Sequence, residues 1–198
     1  MKAFDKADEY RITAMILIDG ILGQMMEPLV QTPYKQPKLP KKEWALTGCA
    51  GREPNVIKSL YMGESELEKR NYKLKEKYDR MKDTEVMYDS LYIDDSELIV
   101  TAFGIAARIA SSAVKKLRKE GKKAGLFRPV TLFPFPEKKI AQLCDGRRRF
   151  LTIEMNMGQM VEDVRLSVNG KAKVDFYGRP GGGTMTPEEL YDVIKKHV

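Results

Sequence analysis

The chain of 198 residues is poor in the side chains on which most catalytic and metal chemistry depends. It has one histidine, His197, next to its last residue, and two cysteines, Cys49 and Cys144, that form no CxxC motif. Acid–base and nucleophilic catalysis by imidazole is therefore not expected. Two isolated cysteines cannot supply the ligands of a zinc site or of an iron–sulfur cluster. We infer that any electron transfer or metal chemistry takes place in another chain.

Long apolar runs are also missing. The longest run, Ala-Met-Ile-Leu-Ile at 14–18, is far shorter than the roughly 20 residues of a transmembrane helix. The first eleven residues alternate acids with bases and do not have the pattern of a signal peptide. With 42% hydrophobic and 32% charged residues, the composition is that of a soluble globular chain. We expect a cytoplasmic protein that makes no membrane contact.

The net charge of +7 comes largely from two basic clusters, at 115–123 and 146–150. The first cluster ends a predicted helix, where cations complement the helix dipole and remain solvated. Aromatic residues are not interleaved with either cluster, as they would be in many nucleic-acid sites. We therefore expect no nucleic-acid partner.

Apolar runs and amphipathic segments alternate strictly from about residue 95 onward. The predicted strands are 97–103, 124–128, 149–155 and 173–177, and a helical pattern follows each one. Gly121 and Gly170 are expected to close two of these helices, and Thr186-Pro187 with Glu189 to open the last one through a capping box. This alternation predicts an α/β fold, a mainly parallel sheet with helices on both faces.

The first half of the chain has a different organisation. Residues 3–11 are predicted to be the end of a helix, and 13–18 a buried strand. A linker at 28–43, with prolines at 28, 33, 37 and 40, should then lie extended on the surface. Residues 64–92 are predicted to form one long surface helix, opened by a capping box of Ser65 with Glu68. Because one strand cannot make a sheet, we interpret residues 1–27 as the tail of another domain.

The tripeptide Gly-Gln-Met occurs twice, at 23–25 and 158–160, each time after an apolar run that ends in an acid, Asp19 or Glu154. Both segments are predicted to lie at the carboxyl ends of strands, where α/β sheets meet ligands and partners. We interpret them as two similar turns and not as catalytic devices. The glycine-rich stretch 178–183 lacks the spacing of a phosphate-binding loop. The interface candidates at this edge are Gly23, Gln24, Asn156, Gly158, Gln159 and Arg179. Arg128 and Arg165 are predicted to pair with nearby acids, for which the candidates are Glu154, Glu162 and Asp163.

Five blocks of the sequence, in this order, resemble the alpha subunit of the 2-oxoacid:ferredoxin oxidoreductases. They are AFDKADEYRITAMILIDGILGQMMEP, EWALTGCAGREPNVIKSLY, AFGIAARIASSAVKKLRKEG, GLFRPVTLFPFP and EMNMGQMVEDVRLSVNG with DFYGRPGG. The resemblance is greatest to the branched-chain, 2-ketoisovalerate type, and next to the 2-oxoglutarate type. It implies that residues 1–27 end a thiamine-pyrimidine-binding domain, that 28–43 is a linker, and that 44–198 is a transketolase C-terminal-like domain.

The resemblance also implies an activity, which belongs to anaerobic metabolism. The family decarboxylates a 2-oxoacid oxidatively to an acyl-coenzyme A and passes the electrons to ferredoxin, using thiamine diphosphate, magnesium and iron–sulfur clusters. The segment 18–20, Ile-Asp-Gly, departs from the motif that holds magnesium and diphosphate. We therefore expect no cofactor on this chain alone, no catalytic residues in it and no activity when it is isolated.

The implied partners are a beta subunit that carries the thiamine diphosphate and magnesium motif, together with iron–sulfur and gamma-type subunits. Ferredoxin would be reached indirectly, and a homodimer is possible through the strand at 13–18. The chain would then serve assembly. The alternatives are a 2-oxoglutarate or pyruvate enzyme of the same family, or an α/β interaction module without catalysis. A flavodoxin-like nucleotide binder is disfavoured by the lack of a phosphate loop.

Overall fold

The computed structural model describes residues 2–31, 33–35 and 37–198. The chain forms two compact units with interleaved bounds. The N-terminal unit consists of the residues up to Leu17 and of Met26–Arg80, and the sheet unit of Ile18–Met25 and Met81–Val198. These units do not divide at residue 44, where the sequence suggested a domain boundary. No described helix is both long and apolar enough to cross a membrane.

The N-terminal unit is mostly irregular. Helix α1, Lys2–Tyr10, matches the predicted helix, and the Arg80 guanidinium lies 5.0 Å from the centre of the buried Tyr10 ring. The predicted strand at 13–18 is wrong, since these residues form no strand and the side chains of Met15, Ile16 and Leu17 are exposed. An apolar run becomes a strand only where a neighbouring strand pairs with it, and the described part of this unit provides none.

The proline-rich segment has no regular structure at any of its described positions between 27 and 42. This agrees with the prediction of an extended, exposed linker, because each proline removes a backbone donor and fixes φ. Most of its described residues are exposed. The absence of a helix across 30–40 is therefore confirmed for the described residues.

The long predicted helix is shorter than expected and starts differently. Helix α3 is Glu66–Thr84, and the residues after it turn into a strand. Ser65 has a φ of +60°, which is not the extended backbone of a helix cap. The Glu66 side chain accepts the Gly63 N–H at 3.3 Å instead. The predicted capping box of Ser65 with Glu68 is wrong.

The sheet unit contains a five-stranded sheet in the order β1-β3-β2-β4-β5. Its strands are β1 Tyr88–Leu91, β2 Leu98–Thr101, β3 Ala124–Pro129, β4 Arg149–Glu154 and β5 Val174–Gly178. The pairs β3–β2, β2–β4 and β4–β5 are parallel, and β1 runs antiparallel to β3 at one edge. The predicted fold class and the four predicted strands are confirmed. Strand β1 was missed, because it lies inside the segment predicted as helix.

Helices cover both faces of the sheet. They are α4 Gly104–Lys119, α5 Glu137–Gln142, α6 Met160–Val168 and α7 Pro187–Lys195, and a short α2, Gly20–Gln24, precedes the linker. Alternate strand residues point to opposite faces. Val100, Leu126 and Leu151 pack with α4 and α7 in one core, whereas Ile99, Phe127 and Phe150 pack with α5 and α6 in the other. Burial of each such side chain contributes about 1.5–3 kcal/mol to the free energy of unfolding.

The helix ends follow the sequence signals in the second half of the chain. Gly121 and Gly170 have φ of +79° and +74°, as glycines that end helices should. Helix α7 has the full capping box: Thr186 Oγ1 accepts the Glu189 N–H at 3.1 Å, and Glu189 accepts the Thr186 N–H at 3.2 Å. These three predictions are confirmed.

Candidate functional site at the carboxyl ends of the strands

The buried carboxylate of Glu154 ends strand β4 and holds the start of helix α6. Its side chain is 1% exposed, and it accepts the backbone N–H groups of Met160 and Val161, both at 2.9 Å. The N–H of Gln159 lies 3.3 Å from each carboxylate oxygen. Gln159 is the residue at the N-cap, but its side chain makes no cap bond. Glu154 therefore supplies, from the strand, the acceptor that a helix start requires.

The turn between β4 and α6 brings three predicted interface residues around this carboxylate. Asn156 Nδ2 donates to Glu154 Oε2 at 3.1 Å, and Asn156 Oδ1 accepts the Gly158 N–H at 2.7 Å. Gly158 has a φ of +105°, which only glycine adopts readily. Asn156, Gly158 and Gln159 thus form one structural unit with Glu154.

The first Gly-Gln-Met segment is built around Asp19 in a similar way. Asp19 Oδ2 accepts the N–H of Ile105 at 2.7 Å, in the first turn of α4. The N-cap position of α4 is Phe103, which has no side-chain acceptor. Asp19 precedes α2 but does not cap it through its side chain. Asp19 thus caps a helix distant in sequence, α4, whereas Glu154 caps α6, the helix that its own segment begins.

Gly104 allows this contact with Asp19. Its φ is +58°, and a Cβ atom at this position would overlap Asp19 Oδ2. Gly23 and Gln24 lie in the last turn of α2, in the segment that carries Asp19. Glycine is thus required at position 104 for two reasons: the backbone has a positive φ, and a carboxylate lies where a Cβ atom would be.

Arg179 at the end of β5 is engaged by helix α7. Its Nη1 lies 2.6 Å from Glu189 Oε2, and the Tyr177 hydroxyl donates to Glu189 Oε1 at 2.5 Å. The hydrogen bond from Tyr177 lowers the pKa of Glu189, and the bond to Thr186 and the charge of Arg179 lower it further. The same bond to Glu189 raises the pKa of Tyr177. Arg179 is thus an anchor between β5 and α7.

The two predicted arginine anchors have different outcomes. The Arg128 guanidinium pairs with Asp89 of β1, and not with Glu154, Glu162 or Asp163. Arg165, on α6, has no ion pair or side-chain hydrogen bond with any residue that the structure describes. The partner of Arg128 could not be predicted while residues 88–91 were assigned to a helix.

Uncharged side chains are also exposed in this part of the sheet unit. The side-chain amides of Gln24 and Gln159 are exposed and make no hydrogen bond to described residues, and the Met157 side chain is 79% exposed. The amides of Gln24 and Gln159 can both donate and accept hydrogen bonds, and the methionine side chain is flexible. Such side chains are suited to contact with another protein surface.

The described residues do not fit the metal ion or the iron–sulfur clusters that the sequence resemblance implies. These residues include no group of three His, Cys, Asp or Glu side chains that could hold a metal ion. Cys49 is exposed, whereas Cys144 is half-buried and bonded to the Ile140 carbonyl at 3.3 Å, so the two are not a ligand pair. Burial raises the pKa of the Cys144 thiol. The carboxylates of Asp19 and Glu154 already accept backbone N–H groups.

A cleft of about 660 Å³ in the sheet unit was not predicted. One wall is helix α4, the other is the β1–β3 edge, and Leu22 of α2 closes one side. Its residues on β1 are Asp89, Ser90 and Leu91. These residues continue the helical pattern of α3, so neither the edge strand nor the cleft beside it could be predicted from the sequence.

The fold and these hydrogen bonds define the class, a mainly parallel α/β domain in which the strand-end acid Glu154 and the loop acid Asp19 cap helices. The model of the pyruvate:ferredoxin oxidoreductase core domain II matches residues 96–190. The ketoisovalerate oxidoreductase subunit VorB of Methanothermobacter thermautotrophicus is 42% identical over 99% of this chain and 54% of its own length. The 2-oxoglutarate synthase subunit KorA of Methanothermobacter marburgensis is 29% identical over 98% of this chain and 59% of its own length.

A solved 2-oxoglutarate:ferredoxin oxidoreductase from Magnetococcus marinus has the same fold, with a TM-score of 0.60 at 18% identity, over 83% of this chain and 28% of that one. Over nearly its whole length the chain is similar to subunits of 2-oxoacid oxidoreductases, among them the ketoisovalerate type. It spans about half the length of the curated relatives that it matches.

Proposed function

We propose that the chain is part of the alpha subunit of a ketoisovalerate-type 2-oxoacid:ferredoxin oxidoreductase. Such an enzyme converts 2-ketoisovalerate and coenzyme A to an acyl-coenzyme A and passes the electrons to ferredoxin. The support is the 42% and 39% identity to two ketoisovalerate oxidoreductase subunits over 99% of the chain. In this proposal, residues 1–27 are the end of a thiamine-pyrimidine-binding domain. Residues 28–43 are a linker that connects it to a transketolase C-terminal-like domain, residues 44–198.

Within that enzyme the chain serves subunit assembly and not catalysis. One observation carries this role: the strand-end carboxylate of Glu154 is buried and accepts hydrogen bonds from backbone N–H groups and from the Asn156 side chain. It is therefore not available as a base or a metal ligand. The turn that follows it instead presents the exposed side chains of Met157 and Gln159, and Gln24 is exposed at the end of α2. Thiamine diphosphate, magnesium and the iron–sulfur clusters belong to the beta, gamma-type and iron–sulfur subunits, in the cytoplasm.

A reconstitution assay tests the activity. The purified chain is mixed with 2-ketoisovalerate, coenzyme A, thiamine diphosphate, magnesium and ferredoxin, and ferredoxin reduction is followed by absorbance. We expect no reduction by the chain alone. Addition of the missing part of the alpha subunit and of the other subunits should restore it, and a complex that is equally active without this chain would refute the proposal.

The choice of 2-oxoacid is tested in the same assay. The 29% identity to a 2-oxoglutarate synthase subunit supports 2-oxoglutarate as the second candidate substrate. We expect 2-ketoisovalerate to give a higher kcat/KM than 2-oxoglutarate or pyruvate. A reconstituted complex that binds this chain but turns over none of the three would favour a plain α/β interaction module.

The contact edge is tested by Met157→Glu. A charge on a side chain that becomes buried between subunits should weaken co-purification with the partner subunits at least tenfold, because an unpaired buried charge costs several kcal/mol. The matched control is Leu166→Glu, on an α6 side chain that is 72% exposed. Equal co-purification of the two variants would contradict the assignment of the edge.

A further inference from the structure

One face of helix α4 borders the cleft, and of its residues Ala107 also packs in the core that α4 shares with α7. Gly104, Ala107, Arg108, Ser111, Ser112 and Lys115 recur three and four residues apart and line the cleft described above. From Gly104 to Lys115 this face is about 16 Å long, at 1.5 Å per residue. Small side chains leave room along its middle, and cations flank them. The face is therefore shaped as a wall of an elongated site.

The opposite wall and the floor come from the β1–β3 edge. Leu91 and Leu126 are directly paired across the two strands and give the cleft an apolar floor. Asp89 and Arg128 form the next pair on the same face, and their side chains are joined in an ion pair. A ligand in the cleft would thus meet an apolar surface between two polar ends.

The charge of the cleft is positive. Its lining has one carboxylate, Asp89, which is paired with the Arg128 guanidinium, and two further cations, Arg108 and Lys115. The Lys115 ammonium has no acidic partner among the described residues. A cleft with low-dielectric walls concentrates such a field, which attracts anions.

Two hydroxyls on the same wall have no partner among the described residues. A serine inside a helix often donates to the carbonyl four residues earlier, as Ser167 Oγ does to the Asp163 carbonyl at 2.7 Å. Ser111 and Ser112 make no such bond. Their hydroxyls remain free to donate to a ligand in the cleft, beside the ammonium of Lys115.

We propose that this cleft binds a small phosphorylated organic molecule. Its phosphate groups bind Lys115 and the hydroxyls of Ser111 and Ser112, and its organic part lies on Leu91 and Leu126. The volume of about 660 Å³ lies within the range of roughly 300–1,000 Å³ that is typical of small-molecule sites. The inference goes beyond the proposed function and does not depend on it, because it rests on the cleft of this chain alone.

Calorimetry on the chain in low-salt buffer tests the proposal with three probes: inorganic pyrophosphate, adenosine diphosphate and adenosine. We expect pyrophosphate to bind, adenosine diphosphate to bind several-fold more tightly because of the apolar floor, and adenosine alone not to bind measurably. Lys115→Gln should raise the Kd for adenosine diphosphate about 5- to 10-fold, the usual effect of one charge-assisted contact. Lys119→Gln, an equal loss of charge on an exposed lysine of α4 outside the cleft, should leave the Kd unchanged.

Backbone amide NMR locates the site. Addition of adenosine diphosphate should shift the resonances of Leu91, Ser111, Ser112 and Leu126 and leave those of α6 unchanged. The proposal is wrong if neither phosphate probe binds up to millimolar concentration, or if the shifts map to the basic residues 146–150. It is also wrong if Lys115→Gln and Lys119→Gln raise the Kd equally, since the binding would then reflect net charge.

Discussion

Single side chains decide the two helix starts at the carboxyl edge of the sheet. A helix normally receives its first acceptor from a Ser, Thr, Asp or Asn at the N-cap, but α4 and α6 have Phe103 and Gln159 there, without a cap bond. Asp19 and Glu154 accept the unpaired N–H groups instead. The lack of a capping residue before an amphipathic segment is the sequence signal that could have revealed both acids.

Replacement of Glu154 by Gln should destabilise the sheet unit by about 2–4 kcal/mol. The glutamine NH₂ group would replace an accepting oxygen and face the buried backbone N–H groups, which are also donors. The free energy of unfolding, measured in urea by circular dichroism, is the test. Glu162→Gln, an exposed acid in the first turn of α6, should change it by less than about 0.5 kcal/mol. Equal losses in the two variants would mean that the general field of the helix dipole, and not the buried bonds, stabilises α6.

Gly104→Ala separates the cost of a contact from the cost of backbone strain. Gly104 and Gly121 both have positive φ, but only at Gly104 would a Cβ overlap another group, the Asp19 carboxylate. Gly121→Ala should therefore cost about 1 kcal/mol from strain, and Gly104→Ala clearly more. Chemical denaturation measures both. If the two costs are equal, the Asp19 contact with α4 contributes little.

At the scale of elements, one carboxylate joins α7 to the end of β5, in addition to the core packing of Leu190 and Ile194. Glu189 completes the capping box and accepts from Tyr177 and Arg179, and these bonds lower its pKa. The folded chain therefore binds fewer protons at this site than the unfolded chain, in which the pKa is about 4.3. This stabilisation is complete above the unfolded pKa and is lost as the pH falls through the lower folded value.

Glu189→Gln should accordingly cost about 1 kcal/mol near neutral pH and less in acid. Urea unfolding at several pH values between about 3 and 7 gives the measurement. The difference from the wild type should be largest near neutral pH and shrink toward pH 3. Glu188→Gln, on an exposed acid of the same turn, should give a small difference at every pH, and an equal pH dependence for both would contradict the role of Glu189.

The elements that the sequence predicted are those whose pattern is local. The strands β2, β3 and β4 are short apolar runs, buried almost throughout, and the turn of α7 has its signal within four residues. Strand β1 was missed because Tyr-Asp-Ser-Leu is polar and largely exposed and directly follows a charged helix. The prediction of a strand at 13–18 was wrong because an apolar run alone does not form a strand, and this run has no partner strand among the described residues.

The site was predictable only in part. Polar residues at strand ends identify the edge, and Asn156, Gly158 and Gln159 do meet there. Which donors Asp19 and Glu154 would serve could not be read from the sequence. The Asp19 to Ile105 bond joins positions 86 apart, and such pairs depend on the tertiary fold. The cleft likewise forms only when β1 pairs with β3 beside α4.

For the whole molecule, the exposed apolar run at 14–18 is the segment that we expect to cause self-association. The side chains of Ile16 and Leu17 are 69% and 63% exposed, and adjacent exposed apolar groups favour association. We expect light scattering to show a molecular mass that rises with concentration, and the double variant Ile16→Lys with Leu17→Lys to remove this rise. The free energy of unfolding should change by less than about 1 kcal/mol.

The matched control is the double variant Leu46→Lys with Val56→Lys, on side chains that are 70% and 74% exposed in the same unit. It should leave the association unchanged. A mass that is constant with concentration in the wild type, or a loss of association in both double variants, would show that the run at 14–18 is not the contact.

The contact between Asp19 and Ile105 also makes a single amide proton informative. The N–H groups in the first turn of a helix have no acceptor within the helix, so the Ile105 amide is shielded from solvent exchange by the Asp19 carboxylate. When residues 18–25 leave α4, this proton should exchange with deuterium at once, while the amides deeper in α4 stay protected. Its exchange rate thus measures, in any assembly that contains this chain, how often the segment before the proline linker detaches.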